Sequence, residues 1–218
     1  MQWLRARDID AETMTLRGLE PGRADADIAR VSLEDHVQQL VDAIAQTRAD
    51  KVILVSHSYS GAVVASASDR LGTYVAGIIH IGAFLPVDAH ALLDNWGSTD
   101  DERAHEEADI EAAGNLWLSP TREMLDYVDD LTDADRDYLA SKFTAHPGRT
   151  VLDAADLSSP VEEQPATYVA LSLKDAPAVA KSATTWQRRS LASGHWPMVS
   201  AFDETAALIE EEIRRYGS

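Results

Sequence analysis

Two kinds of apolar spacing alternate along the chain. Residues 74–81 (YVAGIIHI) and 167–173 (TYVALSL) read as apolar strands, and Val52-Ile53-Leu54-Val55 is short, continuous and without polar alternation. That is the pattern of parallel strands buried on both faces. Between and around them the period changes to that of helices. Leu33, Val37, Leu40, Val41 and Ile44 fall on one face behind Ser32 and Asp35, a capping-box-like pair. Ala206, Leu208, Ile209 and Ile213 do the same in a final helix over about residues 203–216. Strands alternating with helices predict an α/β domain built on a mostly parallel sheet.

Weaker signals complete the reading. Residues 13–16 and 190–192 are short candidate strands, and a loop punctuated by Gly18, Pro21 and Gly22 follows the first of them. Pro177 is placed to open a helix carrying Val179 and Trp186, which leaves Asp175 in the turn at the carboxyl end of the preceding strand. From about residue 88 to 147 the chain becomes acidic, amphipathic and helical, with Leu125, Tyr127, Val128, Tyr138, Leu139 and Phe143 as apolar contacts. An insertion of that kind reads as a helical cap on one domain spanning residues 1–218.

Composition narrows the class. No apolar run approaches the roughly 20 residues that span a bilayer. The start, MQWLRARDID, has no apolar segment of the signal-peptide kind. With no cysteine there is no disulfide, thiolate site or cysteine nucleophile, and a cytoplasmic location is expected. The formal charge of −18 argues against nucleic acid and anionic membranes as partners. Fourteen acids against two arginines lie between Asp94 and Asp135, a pattern expected of a solvated surface.

The chemistry centres on Ser56-His57-Ser58-Tyr59-Ser60, between the strand at Val52 and a helix kept small on one flank by Gly61, Ala62, Ala65, Ser66 and Ser68. A serine on so tight a strand-to-helix turn is pushed out at the carboxyl edge of the sheet, with a helix N-terminus behind it to favour developing negative charge. This pattern resembles the nucleophile elbow of the α/β-hydrolase superfamily, Gly-x-Ser-x-Gly, with Ser56 and Ser60 in the glycine positions. Serine there is expected to strain dihedrals that glycine tolerates. The superfamily's order of nucleophile, acid and histidine is met by Ser58, Asp175 and His195. More narrowly, VSHSYSGAVV, TYVALSLKD and SGHWPMVSAFDETAALI resemble the elbow, acid turn and histidine turn of small esterases: plant methylesterases, hydroxynitrile-lyase-like proteins and their bacterial relatives.

The resemblance implies Ser58 as nucleophile, His195 as general base, Asp175 as its orienting acid and the Tyr59 backbone N–H as an oxyanion donor. It implies a small carboxylic ester as substrate, cleaved through an acyl-enzyme, with no cofactor. Phe84, Trp117 and Trp196, with the Tyr59 ring, are candidates to line the acyl or alcohol pocket. His57 is expected to be buried beside the elbow, and no histidine pair has a third metal ligand at suitable spacing. Cyanohydrin cleavage fits less well, because Trp196 stands where the lyases carry a lysine. The resemblance also implies a central strand ending in His-Gly, whose loop supplies a second oxyanion donor. No such segment follows Met1, so a gap in the sheet beside the organising strand is expected, which a second copy of the chain could cover. A start internal to a longer protein, a shortened enzyme, or a small-molecule binder without turnover would each carry such a gap. If the acidity is an adaptation to salt, the melting temperature should rise in molar salt; a flat response would count against it.

Overall fold

A computed structural model of the chain describes residues 2–95, 97, 99–171 and 177–217. Two short helices, α1 (Gln2–Arg5) and α2 (Asp25–Ile28), precede α3 (Leu33–Ala45), β1 (Val52–His57), α4 (Ser60–Leu71) and β2 (Val75–Ile81). The next stretch holds α5 (Asp100–Ala112), β3 (Leu116–Trp117), α6 (Asp133–Lys142), β4 (His146–Pro147) and α7 (Arg149–Leu152). The sheet then resumes with β5 (Ala166–Ala170), α8 (Ala178–Ser182), β6 (Gln187–Ser190), α9 (Pro197–Ser200) and α10 (Phe202–Tyr216). The main sheet is parallel throughout in the order β1-β2-β5-β6, and β3 with β4 forms a small antiparallel pair in the 88–147 segment.

The pleat of the sheet sorts its side chains onto two helical layers. Leu54, Ile78, Ala166 and Tyr168 face Val64 and Ala65 of α4 together with Ile44 of α3. Ile53, Ile79, Ile81 and Val169 face Leu208, Ile209 and Ile213 of α10. The predicted capping box of α3 is present, with Asp35 N donating to Ser32 Oγ and Ser32 N donating to Asp35 Oδ2. Thr99 and Thr132 cap α5 and α6 in the same way.

Several expectations need correction. Residues 13–16 form no strand: Gln39 of α3 holds them as an irregular segment, its Nε2 donating to Thr15 O and its Oε1 accepting from Arg17 N. A strand needs a neighbouring strand to satisfy its backbone, and none of the described strands lies beside this one. For the same reason β1 is a sheet edge, paired with β2 alone, and is not buried on both faces: Val55 is 43% exposed. The helix after Pro177 ends at Ser182, so Trp186 lies beyond it. Arg188 stops that helix by donating to the carbonyls of Ala180 and Ala183, and Trp186 instead stacks on His80 in the core. The last strand runs over Gln187–Ser190, earlier than its apolar residues suggested, because Thr167 to Ala170 of β5 set its register. Residues 172–176, including Asp175 and the end of the third predicted strand, lie outside the described residues.

Among the described residues, one carboxylate is buried in the frame. Glu212 of α10 is 1% exposed and accepts from Arg189 Nη1 at 2.9 Å, Arg215 Nε at 2.8 Å and Thr167 Oγ1 at 2.7 Å. It thereby ties α10 to β5 and β6, and a buried carboxylate is tolerable only when its lone pairs are met in this way. Glu212→Ala should lower the unfolding free energy by about 2 kcal/mol in urea titrations, less than the roughly 3–5 expected of fully buried pairs because both arginines reach solvent. Glu211→Ala, which removes an exposed partner of Arg189, should change it by under about 1 kcal/mol. Equal losses from the two variants would refute this role for Glu212.

Candidate active site

The site is built around the connection from β1 to α4. Ser58 is the junction residue and has φ of 53°, the left-handed region that a side chain rarely adopts. Three backbone hydrogen bonds hold it there: Ser58 N donates to Ile81 O at 3.4 Å, and Ser58 O accepts from Gly61 N and Phe84 N, both at 3.0 Å. The following residue, Tyr59, returns to right-handed helical backbone, and its N–H finds no acceptor among the described residues. A free N–H beside a half-exposed serine hydroxyl, at the positive end of a helix of three turns, is the arrangement that stabilises an oxyanion.

The two serines in the glycine positions are not strained; neither has positive φ. Ser56 Oγ lies 2.7 Å from His80 Nδ1 on β2, and Ser60 closes the turn by accepting from His57 N at 2.9 Å and donating to His57 O at 2.8 Å. Glycine is required one position later. A Cβ on Gly61 would overlap the Phe84 carbonyl and the Ala83 side chain, so only glycine lets α4 lie against the loop leaving β2.

His195 lies in the loop before α9, beside the elbow. Its carbonyl accepts from His57 Nε2 at 2.6 Å, and the two rings are 4.9 Å apart. Because the acceptor is a carbonyl, Nε2 of His57 must carry the proton. Burial, and after it the repulsion of an imidazolium by His195, bring the His57 pKa down to about 4 against the hydrogen bond to the His195 carbonyl, which raises it, so the ring is neutral near pH 7. His195 is open to solvent on one side and packed against His57 and Trp196 on the other; partial desolvation lowers its pKa below the ordinary value. Among the described residues no hydrogen bond joins Ser58 Oγ to the His195 ring, and Asp175 lies outside them.

Of the predicted pocket residues, Phe84 lines a small apolar groove with Leu33, Ala62, Leu85, Val87 and Leu92. Trp196 packs on Phe143, and Trp117 packs on His146 with its Nε1 donating to Glu106 Oε1 at 2.6 Å. The Tyr59 ring points into the core, with its hydroxyl 2.8 Å from His36 Nδ1 and its face against His146. His36 donates through Nε2 to Arg17 O at 2.7 Å, which fixes its tautomer and makes Tyr59 the donor to Nδ1. A larger crevice of about 210 Å³ between α3, α4 and the segment around α7 contains none of the predicted pocket residues. Its arginines pair internally, Arg70 with Glu34 and Arg149 with Asp153. No three His, Asp or Glu side chains among the described residues converge as metal ligands, and no helix among them is long and apolar enough to cross a membrane.

Comparison with known proteins defines the class. The model of the alpha/beta hydrolase family matches residues 1–208, and the chain belongs to that family. An extracellular α/β-hydrolase from a Paenibacillus species, described as homologous to the tobacco salicylic acid binding protein, superposes with a TM-score of 0.82 at 18% identity, over 96% of this chain and 90% of that one. A methylesterase from Arabidopsis gives 0.68 at 18% identity, over 98% and 90%. In sequence, a carbendazim-hydrolysing esterase of Nocardioides sp. is 33% identical over 63 residues, a match covering 29% of this chain and 26% of that protein.

The buried imidazoles make stability depend on pH. Desolvation holds His80 near a pKa of about 3 and His146 near about 4, as it does His57. The unfolded chain takes up protons near the ordinary imidazole value of 6.5 while the folded one resists them. These residues therefore contribute fully above 6.5, and their contribution falls as pH drops towards 4. Urea unfolding should show stability declining across that window, with a shallower slope in His80→Gln; an unchanged slope in that variant would exclude His80 as a source.

Proposed function

We propose that the protein is a serine hydrolase of small carboxylic esters. The observation that carries this reading is the left-handed Ser58 set between the free Tyr59 N–H and the loop of His195. In this reading Ser58 Oγ attacks the ester carbonyl carbon as His195 takes the hydroxyl proton, and the resulting oxyanion accepts from Tyr59 N–H. His195 then passes the proton to the departing alkoxide, leaving an acyl group on Ser58. Water attacks that acyl carbon with His195 again as base, and the carboxylate product leaves as the Ser58 hydroxyl is re-formed. Asp175 is assigned the orienting of His195, and the 88–147 segment the covering of the site. The esterase named among the relatives and the methylesterase among the structural neighbours support ester chemistry.

A second reading, ligand binding without turnover, draws on the unjoined Ser58 and His195 side chains. Catalytic hydrogen bonds are often long in unliganded sites and tighten on binding, which favours the first reading. A fluorophosphonate probe should label the wild type and not Ser58→Ala, and that variant should hydrolyse p-nitrophenyl acetate roughly a thousandfold or more slowly. Since His195 acts as a base only when neutral, kcat/KM should rise with pH and level off above an inflection below 6.5. Equal labelling of the two proteins would remove the hydrolase reading, and ligand-induced thermal stabilisation without turnover would install the second.

A further inference from the structure

His195 is held from three sides, and two of the holds come from the helical 88–147 segment. On the sheet side, His57 Nε2–H donates to the His195 carbonyl. On the following residue, Trp196 packs with Phe143 into a cluster formed by Leu125, Leu131 and Leu139, which Val199 also joins. On the preceding residue, the Gly194 N–H donates to Asp130 Oδ2 at 2.6 Å, and Ser193 Oγ donates to the same oxygen at 3.2 Å.

Asp130 is well placed to act as an anchor. It stands in the turn before α6, where Leu131 is buried and Thr132 forms the capping box. Arg136 of α6 reaches back to donate to the carbonyls of Leu125 and Val128, fixing the approach to that turn. Gly194 matches the anchor in shape, since a Cβ there would overlap the Asp130 carboxylate. Partial burial pushes the Asp130 pKa up, but hydrogen bonds from Ser200, Gly194 N and Ser193 outweigh it and hold the carboxyl below the usual range. Bonds to a charged acceptor are roughly twice as strong as neutral ones.

We infer that Asp130 is a positioning residue for the reaction: its carboxylate fixes the Ser193–Gly194 turn and thereby sets the reach of the His195 imidazole towards Ser58. The inference rests on the serine-hydrolase reading. It makes the position of the base a property of the helical segment as much as of the sheet, so that whatever moves this segment moves the base. A displacement of about 1 Å at a reacting group can lower turnover by roughly 100-fold.

The test compares steady-state hydrolysis of p-nitrophenyl acetate by wild type, Asp130→Ala and Asp130→Asn. For Asp130→Ala we expect kcat to fall by roughly tenfold or more with KM within about twofold, because the lost contact is made to the base and not to the ester. Asp130→Asn keeps an oxygen acceptor for the Gly194 N–H and should recover part of the loss; if the alanine variant melts early, the asparagine variant carries the test with an expected drop of about threefold. Added formate should raise kcat in Asp130→Ala and not in wild type. Unchanged kcat in the folded variants, or a change confined to KM, would overturn the inference. Failure of the hydrolase reading itself would look different, since the wild type would then show neither turnover nor Ser58-dependent probe labelling.

Discussion

The left-handed backbone at Ser58 is the constraint on which the rim of the sheet depends. A non-glycine residue at φ of 53° is disfavoured by its own Cβ, and such a conformation persists only where its surroundings over-determine it. Here the end of β2, the first turn of α4 and the loop through Phe84 each supply a hydrogen bond to the serine backbone. The reciprocal bonds between Ser60 and His57 close the turn from the other side. The bond from Phe84 N requires α4 to approach the loop leaving β2 closely, which Gly61 permits. The turn then has two consequences: the serine is left half-exposed where β1 ends, and the Tyr59 N–H has no acceptor among the described residues.

Most of the frame was legible because it follows from local pattern. Continuous apolar runs gave β1, β2 and β5, helical spacing gave α3 and α10, and the Ser32 box set a helix start to the residue. What failed was what depends on distant partners. Residues 13–16 have strand composition but no strand beside them, and Val55 belongs to a run that looks fully buried yet sits on a sheet edge. Arg188, not any signal before it, ends the helix after Pro177. At the site, the serine on its turn and the histidine loop were readable from spacing and resemblance. Ser56, Ser60 and His57 were visible as residues, but their work was not, since each acts through a bond to a group whose position only the fold defines. Asp130 carried no signal at all: it is one acid among many in an acidic stretch, and it is singled out only by the Gly194 N–H it meets.

The histidine loop shows how two parts of the fold share one task. The sheet fixes the elbow rigidly, through backbone pairing on β1 and β2. The loop carrying His195 has no such pairing; after β6 it is fastened by side chains, His57 from the sheet and Asp130 from the helical segment, with Trp196 half-buried against aromatic and aliphatic neighbours. Side-chain fastenings are individually weaker than a strand ladder and are more easily rearranged. The elbow is therefore the fixed half of the proposed site and the His195 loop its adjustable half.

Charge has to be reconciled with this arrangement. The chain carries a formal −18, and acids away from Glu212 sit where water and helix N-termini accept them, as in the first turns of α5 and α6. A field of that sign favours cations and would by itself raise the pKa of every histidine. At His57 burial wins over the field, and the ring stays neutral to about pH 4. That outcome matters to the proposed chemistry, because an imidazolium forms on His195 each time it takes the serine proton. A second positive charge on His57, whose ring centroid is 4.9 Å away, would oppose it at every turnover. Keeping His57 uncharged lets it hold the carbonyl of the base without weakening the base, so burial of this one ring serves position and proton affinity together.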